Sequence, residues 1–222
     1  MILAAGRGER MRPLTDVMPK PLIPVRGRPL IEHHLLALRE AGVREVVINL
    51  GWLGAALRTA LGEDGKLGLA IEYSDEGWPA LETGGGIFRA LSLLGDAPFL
   101  LINGDIWCDY PLAHLVERGL SANDFAHLVL VPNPPHNRRG DFGLAAGRVI
   151  TACAESHTFS GLSILHPALF AECTDGRFPL APLLRDAVIH GQVSGELYNG
   201  FWSDIGTPER LRDVDTATIQ GK

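Results

Sequence analysis

Apolar residues fall into two kinds of run that take turns along the chain. Short, nearly continuous runs occupy residues 2–5, 45–50, 69–73, 99–102, 126–131 and 160–165, and that character suits strands covered on both faces. Between them the apolar positions space out to a helical period, as at Leu30, Ile31, Leu35, Leu38 and Ala41, or at Ile87, Phe88, Leu91 and Leu94. Pro29 suits the first turn of the first of these helices and Gly42 its C-cap. Further helices are predicted over 53–61, 111–118, 167–173 and 180–190, and after Thr207, a good N-cap with Pro208 at the first helical position. The β-α-β-α order predicts an α/β fold with a mostly parallel central sheet flanked by helices. In such a sheet ligands gather at the carboxyl ends of the strands. No internal repeat, low-complexity tract or linker interrupts the 222 residues, which suit one domain, 1–222.

Chemistry-bearing residues concentrate where the predicted strands end. After residues 2–5, Gly6 and Gly8 break the strand, Arg7, Arg10 and Arg12 follow, and Lys20 is held between Pro19 and Pro21. A glycine loop after a strand exposes backbone N–H groups that can cradle phosphate, with the cations supplying charge; the same residues also suit a tight turn with a solvated basic face. A Walker loop is absent, and the dinucleotide fingerprint needs a third glycine where Met11 stands. Farther on, Gly84, Gly85 and Gly86 open a helix at an entropic cost. That run points to a close neighbour at the backbone, either a flat base or tight packing on the sheet. Asp105 follows the strand 99–102, where it could ligate a metal or form a turn. Asp109 lacks D-x-D spacing and reads as structural. Ser160 and Gly161 are small enough to admit a sugar ring, and Asp204 precedes the last helix.

Several other chemistries drop out. The formal net charge of −6 offers no broad basic face for nucleic acid or membranes, and no apolar run approaches a membrane span. Cys108, Cys153 and Cys173 have no metal-ligand spacing and fit reduced thiols in a cytoplasmic protein. The eight histidines include no H-x-x-x-H or H-E-x-x-H pattern for zinc. A nucleophile elbow is missing too, since Phe159 stands where its first glycine belongs.

Read in order, L-x-x-G-x-G-x-R-M-x-P-L-T with P-K-P, the T-G-G-G turn, N-G-D, the S-G strand and W-S-D-I-G-T-P resemble the sugar-phosphate nucleotidyltransferases. The resemblance covers nearly the whole chain and implies a Rossmann-like nucleotidyltransferase fold that joins a sugar 1-phosphate to a nucleoside triphosphate, releasing pyrophosphate. It implies catalytic roles for Arg10, Lys20 and Asp105, and nucleotide binding by Ala4, Ala5, Gly6, Gly8, Arg10, Lys20, Glu82, Gly84 and Gly85. Sugar-phosphate contacts would come from Asn103, Gly143, Glu155, Ser160 and Gly161, and Mg²⁺ would lie between Asp105 and Asp204. The short length and L-E-T-G-G-G-I look, within the superfamily, like uridylyltransferases acting on N-acetylmuramic acid α-1-phosphate in peptidoglycan recycling. UTP and that sugar phosphate are then the expected partners of a cytoplasmic monomer. Glu82 could accept from uracil N3–H or from the edge of guanine, so a mannose-1-phosphate guanylyltransferase is the alternative. A non-catalytic nucleotide-sugar sensor is another, against which the joint presence of Arg10, Lys20, Asp105 and Asp204 argues. The chain departs from its relatives at T-G-G-G, commonly G-T-A-G, and at Glu155-Ser156-His157, where many carry the lysine of an E-K-P segment. Arg138 and Arg139 are candidate partners for the lactyl carboxylate of the muramate.

Overall fold

The structure, a computed structural model, describes residues 1–62, 67–151 and 153–217. Its elements are β1 (Ile2–Leu3), α1 (Leu14–Val17), β2 (Pro24–Val25), β3 (Arg28–Pro29), α2 (Leu30–Glu40), β4 (Glu45–Leu50), α3 (Gly54–Leu61) and β5 (Ala70–Asp75). There follow α4 (Glu82–Leu94), β6 (Phe99–Asn103), β7 (Ile106–Cys108), α5 (Ala113–Arg118), β8 (Ala126–Val131), β9 (Gly143–Ala145) and β10 (Arg148–Ile150). The last are β11 (Thr158–Leu165), α6 (Ala181–Ile189), β12 (Val193–Leu197), β13 (Trp202–Asp204) and α7 (Pro208–Thr216). Among the described residues, nine strands form one sheet in the order β5-β4-β1-β6-β11-β8-β12-β10-β9. Only β11 and β10 oppose the common direction. The expected mostly parallel sheet is present, with β11 reversed between β6 and β8.

Strand side chains sort by the two-residue period of the pleat. Val46, Ile48 and Leu50 of β4 join α2, α3 and α5 in one core, while Val47 joins α4 and α6 in the other. β8 does the same, with Val129 on the first face and Leu128 and Leu130 on the second. Helices on both faces are thus the reason these strands read as unbroken apolar runs. In register, Ile2 stands beside Ile48 and Ile102, and Leu50 beside Asp75. That alignment brings the ends of β1, β4, β5 and β6 to one edge.

Two small sheets crown the same edge. β13 pairs antiparallel with β7, Asp204 opposite Ile106, and β2 pairs with β3. A satellite core of Met11, Ile23, Val25, Leu30, Ile205 and Val214 ties them to the loop after β1. The Arg26 N–H donates to Asp215 Oδ1 (2.7 Å), which fastens α7 onto the hairpin. Two local expectations change. Pro29 ends β3 rather than opening α2, and the helix over 167–173 shrinks to a 3-10 turn, Pro167–Phe170. Leu169 and Phe170 bury in the second core there, and the Cys173 N–H closes the turn on the Phe170 carbonyl (3.0 Å). Among the described residues, no helix is long and apolar enough to cross a membrane.

Candidate active site

A cavity of about 390 Å³ opens at the carboxyl edge between the end of β4 and the loops that follow β1, β5 and β6. Its wall gathers Ala4, Ala5, Gly6, Gly8, Arg10, Lys20, Glu82, Asn103 and Asp105 from the sequence-predicted set. Gly84, Gly85, Gly143, Glu155, Ser160, Gly161 and Asp204 are not part of that wall.

The loop after β1 builds the phosphate side. Its first N–H, that of Ala4, donates to Asn49 Oδ1 (2.6 Å). Gly8 then turns the backbone with φ 67°, and its carbonyl accepts from the buried Thr15 hydroxyl (3.0 Å). The Lys20 stem packs against Gly8, where an added Cβ would stand 3.1 Å from Lys20 Cδ. Confined there between two prolines, the ammonium meets Asp105 Oδ2 at 2.7 Å with its side chain only 10 % exposed. An ammonium has three hydrogens to donate, so hydrogens remain for a phosphate. Arg10 is exposed and has no ion pair or side-chain hydrogen bond among the described residues, which leaves its planar fork free for an anion. Arg7 and Arg12 are otherwise engaged. Arg12 pairs with Asp16 (2.8 Å), and Arg7 lies over the Trp52 ring (4.3 Å) and reaches Asp16 at 3.5 Å.

Asp105 and Asp204 are brought together by the β7–β13 ladder, in which the Ile205 N–H donates to the Asp105 carbonyl (2.8 Å). Asp204 Oδ1 holds Arg210 and His136 Nε2, the latter at 2.9 Å. Among the described residues, Asp105 Oδ1 and Asp204 Oδ2 have no protein partner. Two carboxylates with one hard oxygen each to spare fit a divalent cation whose remaining ligands are phosphate oxygens and water. Among the described residues, no group of three or more His, Cys, Asp or Glu side chains is placed to hold a metal ion, so the protein alone does not complete such a site. Burial lowers the pKa of His34, on α2 near Asp105, to about 4. Its neutral ring adds no charge behind the carboxylate.

On the other side of β1 the structure corrects the expectation for the glycine run. A Cβ on Gly84 would meet Phe178 Cδ2 at 2.5 Å, and one on Gly85 would strike the Gly176 carbonyl. The close neighbour of those two glycines is therefore a segment of the chain, and at this side of the cavity the wall is made by Glu82 and Thr83 instead. Sequence reasoning misses Asn49 and Glu76, both in the cavity wall. Asn49 Nδ2 donates to Glu76 Oε1, and Glu76 Oε2 accepts from the Leu81 N–H (2.9 Å), so this buried pair ties the start of the phosphate loop to the start of α4. The available signal was an asparagine inside the apolar run 45–50.

The sugar side is corrected more heavily. Ser160 is buried, its hydroxyl donating to the Val129 carbonyl (2.7 Å) and accepting from the Leu162 N–H (3.1 Å), so it braces a β-bulge instead of facing a ligand. Gly161 in that bulge has φ 85°, and a Cβ there would stand 2.7 Å from Asn103 Nδ2. Its role is to seat Asn103, which does line the cavity. Gly143 packs under Ile150 and Cys153, and Glu155 is exposed on a turn. Arg138 and Arg139 are exposed on the loop whose His136 touches Asp204. Gly161→Ala is expected to destabilise the fold by about 1–3 kcal/mol, from the left-handed φ plus the displaced neighbour. Thermal unfolding checks it; a melting temperature equal to wild type would mean that the bulge relaxes freely.

The glycine loop, the buried lysine, the free arginine and the two carboxylates at the carboxyl edge of a mostly parallel sheet form a site suited to holding phosphate groups and neutralising their charge. The nucleotidyl transferase family model matches residues 1–150, and the chain belongs to that family of enzymes. It is 47% identical over 220 residues to the N-acetylmuramate alpha-1-phosphate uridylyltransferase of Neisseria meningitidis serogroup B, covering 96% of this chain and 95% of that one. It is 30% identical to a mannose-1-phosphate guanyltransferase of Hypocrea jecorina, covering 94% of this chain and 61% of that one. A Bacillus anthracis crystal structure, described as a glucose-1-phosphate thymidylyltransferase in complex with sucrose, shares the fold with a TM-score of 0.87 at 21% identity, covering 96% of this chain and 92% of that one.

Proposed function

We propose that the chain, as one nucleotidyltransferase domain over residues 1–222, transfers a uridylyl group from UTP to N-acetylmuramic acid α-1-phosphate. The products are UDP-N-acetylmuramic acid and pyrophosphate, a reaction of peptidoglycan recycling in the cytoplasm. The observation that carries the chemistry is the buried Lys20 ammonium paired with Asp105 beside an unpaired Arg10 on one cavity wall. The 47% identical relative supports the choice of base and sugar.

The nucleophile is a phosphate oxygen already ionised near neutral pH, because a phosphomonoester has its second pKa near ~6. No general base is needed. The task left to the protein is alignment and charge neutralisation. Lys20, rigid on its packed stem, neutralises the α-phosphate as the attacking oxygen approaches and the bridging oxygen departs. Arg10 holds the β- and γ-phosphates and then the pyrophosphate. A divalent cation, assigned as Mg²⁺, would be held by Asp105 and Asp204 and would withdraw charge from the phosphate oxygens. Asn103, seated by Gly161, faces the sugar phosphate.

The test measures pyrophosphate release over a matrix of UTP, GTP, CTP, ATP and dTTP against the 1-phosphates of N-acetylmuramic acid, N-acetylglucosamine, glucose and mannose. UTP with the muramate phosphate is expected to give the highest kcat/KM. Highest activity with GTP and mannose 1-phosphate would replace this reading with the guanylyltransferase, and silence across the matrix with nucleotide still bound would leave a sensor. Arg138→Ala and Arg139→Ala, run in the same matrix, show whether either arginine serves the lactyl carboxylate.

A further inference from the structure

The segment that covers the glycine run is pinned from three directions. The Phe178 N–H donates to the Leu81 carbonyl (3.2 Å), the Gly85 N–H to the Phe178 carbonyl (2.9 Å), and the Leu180 N–H to the Thr83 hydroxyl (2.9 Å). Any side chain at Gly84 or Gly85 would push this segment away. The glycines therefore set the position of the residue between Gly176 and Phe178, which is Arg177. Its Nη2 reaches Glu82 Oε1 at 3.0 Å. Glu82 stands in the cavity wall with φ 62°, a left-handed conformation that costs energy for any residue with a Cβ. Covered glycines and a strained glutamate have one joint product: a carboxylate at the wall with one oxygen capped by a guanidinium.

That cap changes what a base would meet. A carboxylate with both oxygens free offers two acceptors side by side, which match the N1–H and the exocyclic amine of guanine. Capped on Oε1, Glu82 offers one uncapped acceptor beside a guanidinium donor, which matches the N3–H and a neighbouring carbonyl of uracil. Guanine in the same place would compete with Arg177 for an acceptor for its amine. We infer that Arg177 is a specificity-determining residue, which disfavours guanine and favours uracil by occupying Glu82 Oε1. The role rests on the nucleotide site proposed above. Glu82 follows β5 and Asp105 follows β6, on opposite sides of β1, so Arg177 can be removed without touching Lys20 or Asp105. The side chain is 63 % exposed, and an ion pair so open to water contributes little to stability.

The experiment measures initial rates with UTP and with GTP, at fixed sugar 1-phosphate, for wild type, Arg177→Ala and Arg177→Lys. In Arg177→Ala the UTP-over-GTP ratio of kcat/KM is expected to fall about tenfold or more, the cost of one partnered polar group. Arg177→Lys should fall between the two, while the melting temperature and the KM for the sugar 1-phosphate stay at wild-type values. A ratio within about twofold of wild type in Arg177→Ala would overturn the inference while leaving the uridylyl reading intact. Wild-type preference for GTP would overturn that reading and this role together, and the wild-type ratio tells the two failures apart.

Discussion

Asp105→Asn is expected to lower kcat by about a thousandfold or more, the scale seen when a group that stabilises transition-state charge is removed. Asparagine preserves volume, so the β7–β13 ladder and its Ile205-to-Asp105 backbone bond should persist and the protein should still fold. Two functions are lost at once: the hard anionic ligand for a divalent cation, and the counter-ion of a lysine whose side chain is 10 % exposed. Asp204→Asn should also fall steeply, though it releases Arg210 and His136 rather than Lys20. The measurement is kcat across a series of Mg²⁺ concentrations, with circular dichroism as the folding control and EDTA on the wild type as the metal-free limit. Turnover near wild type in a folded Asp105→Asn protein would remove Asp105 from the reaction.

Lys20→Met keeps the packed stem and deletes the charge, and the expected result is a fall of about 10²–10³ in kcat with a much smaller rise in KM for UTP. The reason lies in the geometry. An ammonium fixed between Gly8, Pro19 and Pro21 costs no rearrangement as charge shifts from the attacking oxygen to the leaving one. With Lys20 gone, Asp105 Oδ2 is freed, so the Mg²⁺ concentration for half-maximal rate should stay the same or drop. That readout separates a phosphate role from simple support of the metal ligand. A rise in KM with kcat intact would assign Lys20 to ground-state binding.

The alternation of apolar runs was enough to place β4 and β8 to the residue, because both are buried on both faces, and the other long strands within a few positions. Short strands escaped. β7, β9, β10 and β13 are three residues each, too short to show a period, and β12 carries Ser194, Gly195 and Glu196 where the eye seeks a continuous apolar run. The reversal of β11 depends on pairings with β6 and β8 that local pattern does not encode. In the site, residues bound to a motif by backbone geometry were legible: Gly8, Arg10, Lys20 and Asp105 all reach the cavity. Small residues were read less well, since Gly84, Gly85, Gly143 and Ser160 serve packing, and a glycine looks the same in sequence whether a ligand or a neighbouring segment lies against it. Asn49, Glu76 and Arg177 act through partners distant in sequence, which only the fold reveals.

The satellite core has a consequence for the order in which the protein comes into being. Met11 is fully buried against a cluster that includes Ile205 and Val214, and the space beside Gly206 is shared by Arg10 and Arg210. Met11 thus reaches its final surroundings only after Ile205 and Val214 have been made. Closing loops of that length is an entropic cost met late in folding. The sheet can begin to pair while the chain is still growing, but the grip on phosphate is finished only when residues 205–214 arrive. A chain that stops before Ile205 carries the glycine loop and Lys20 and still lacks the site.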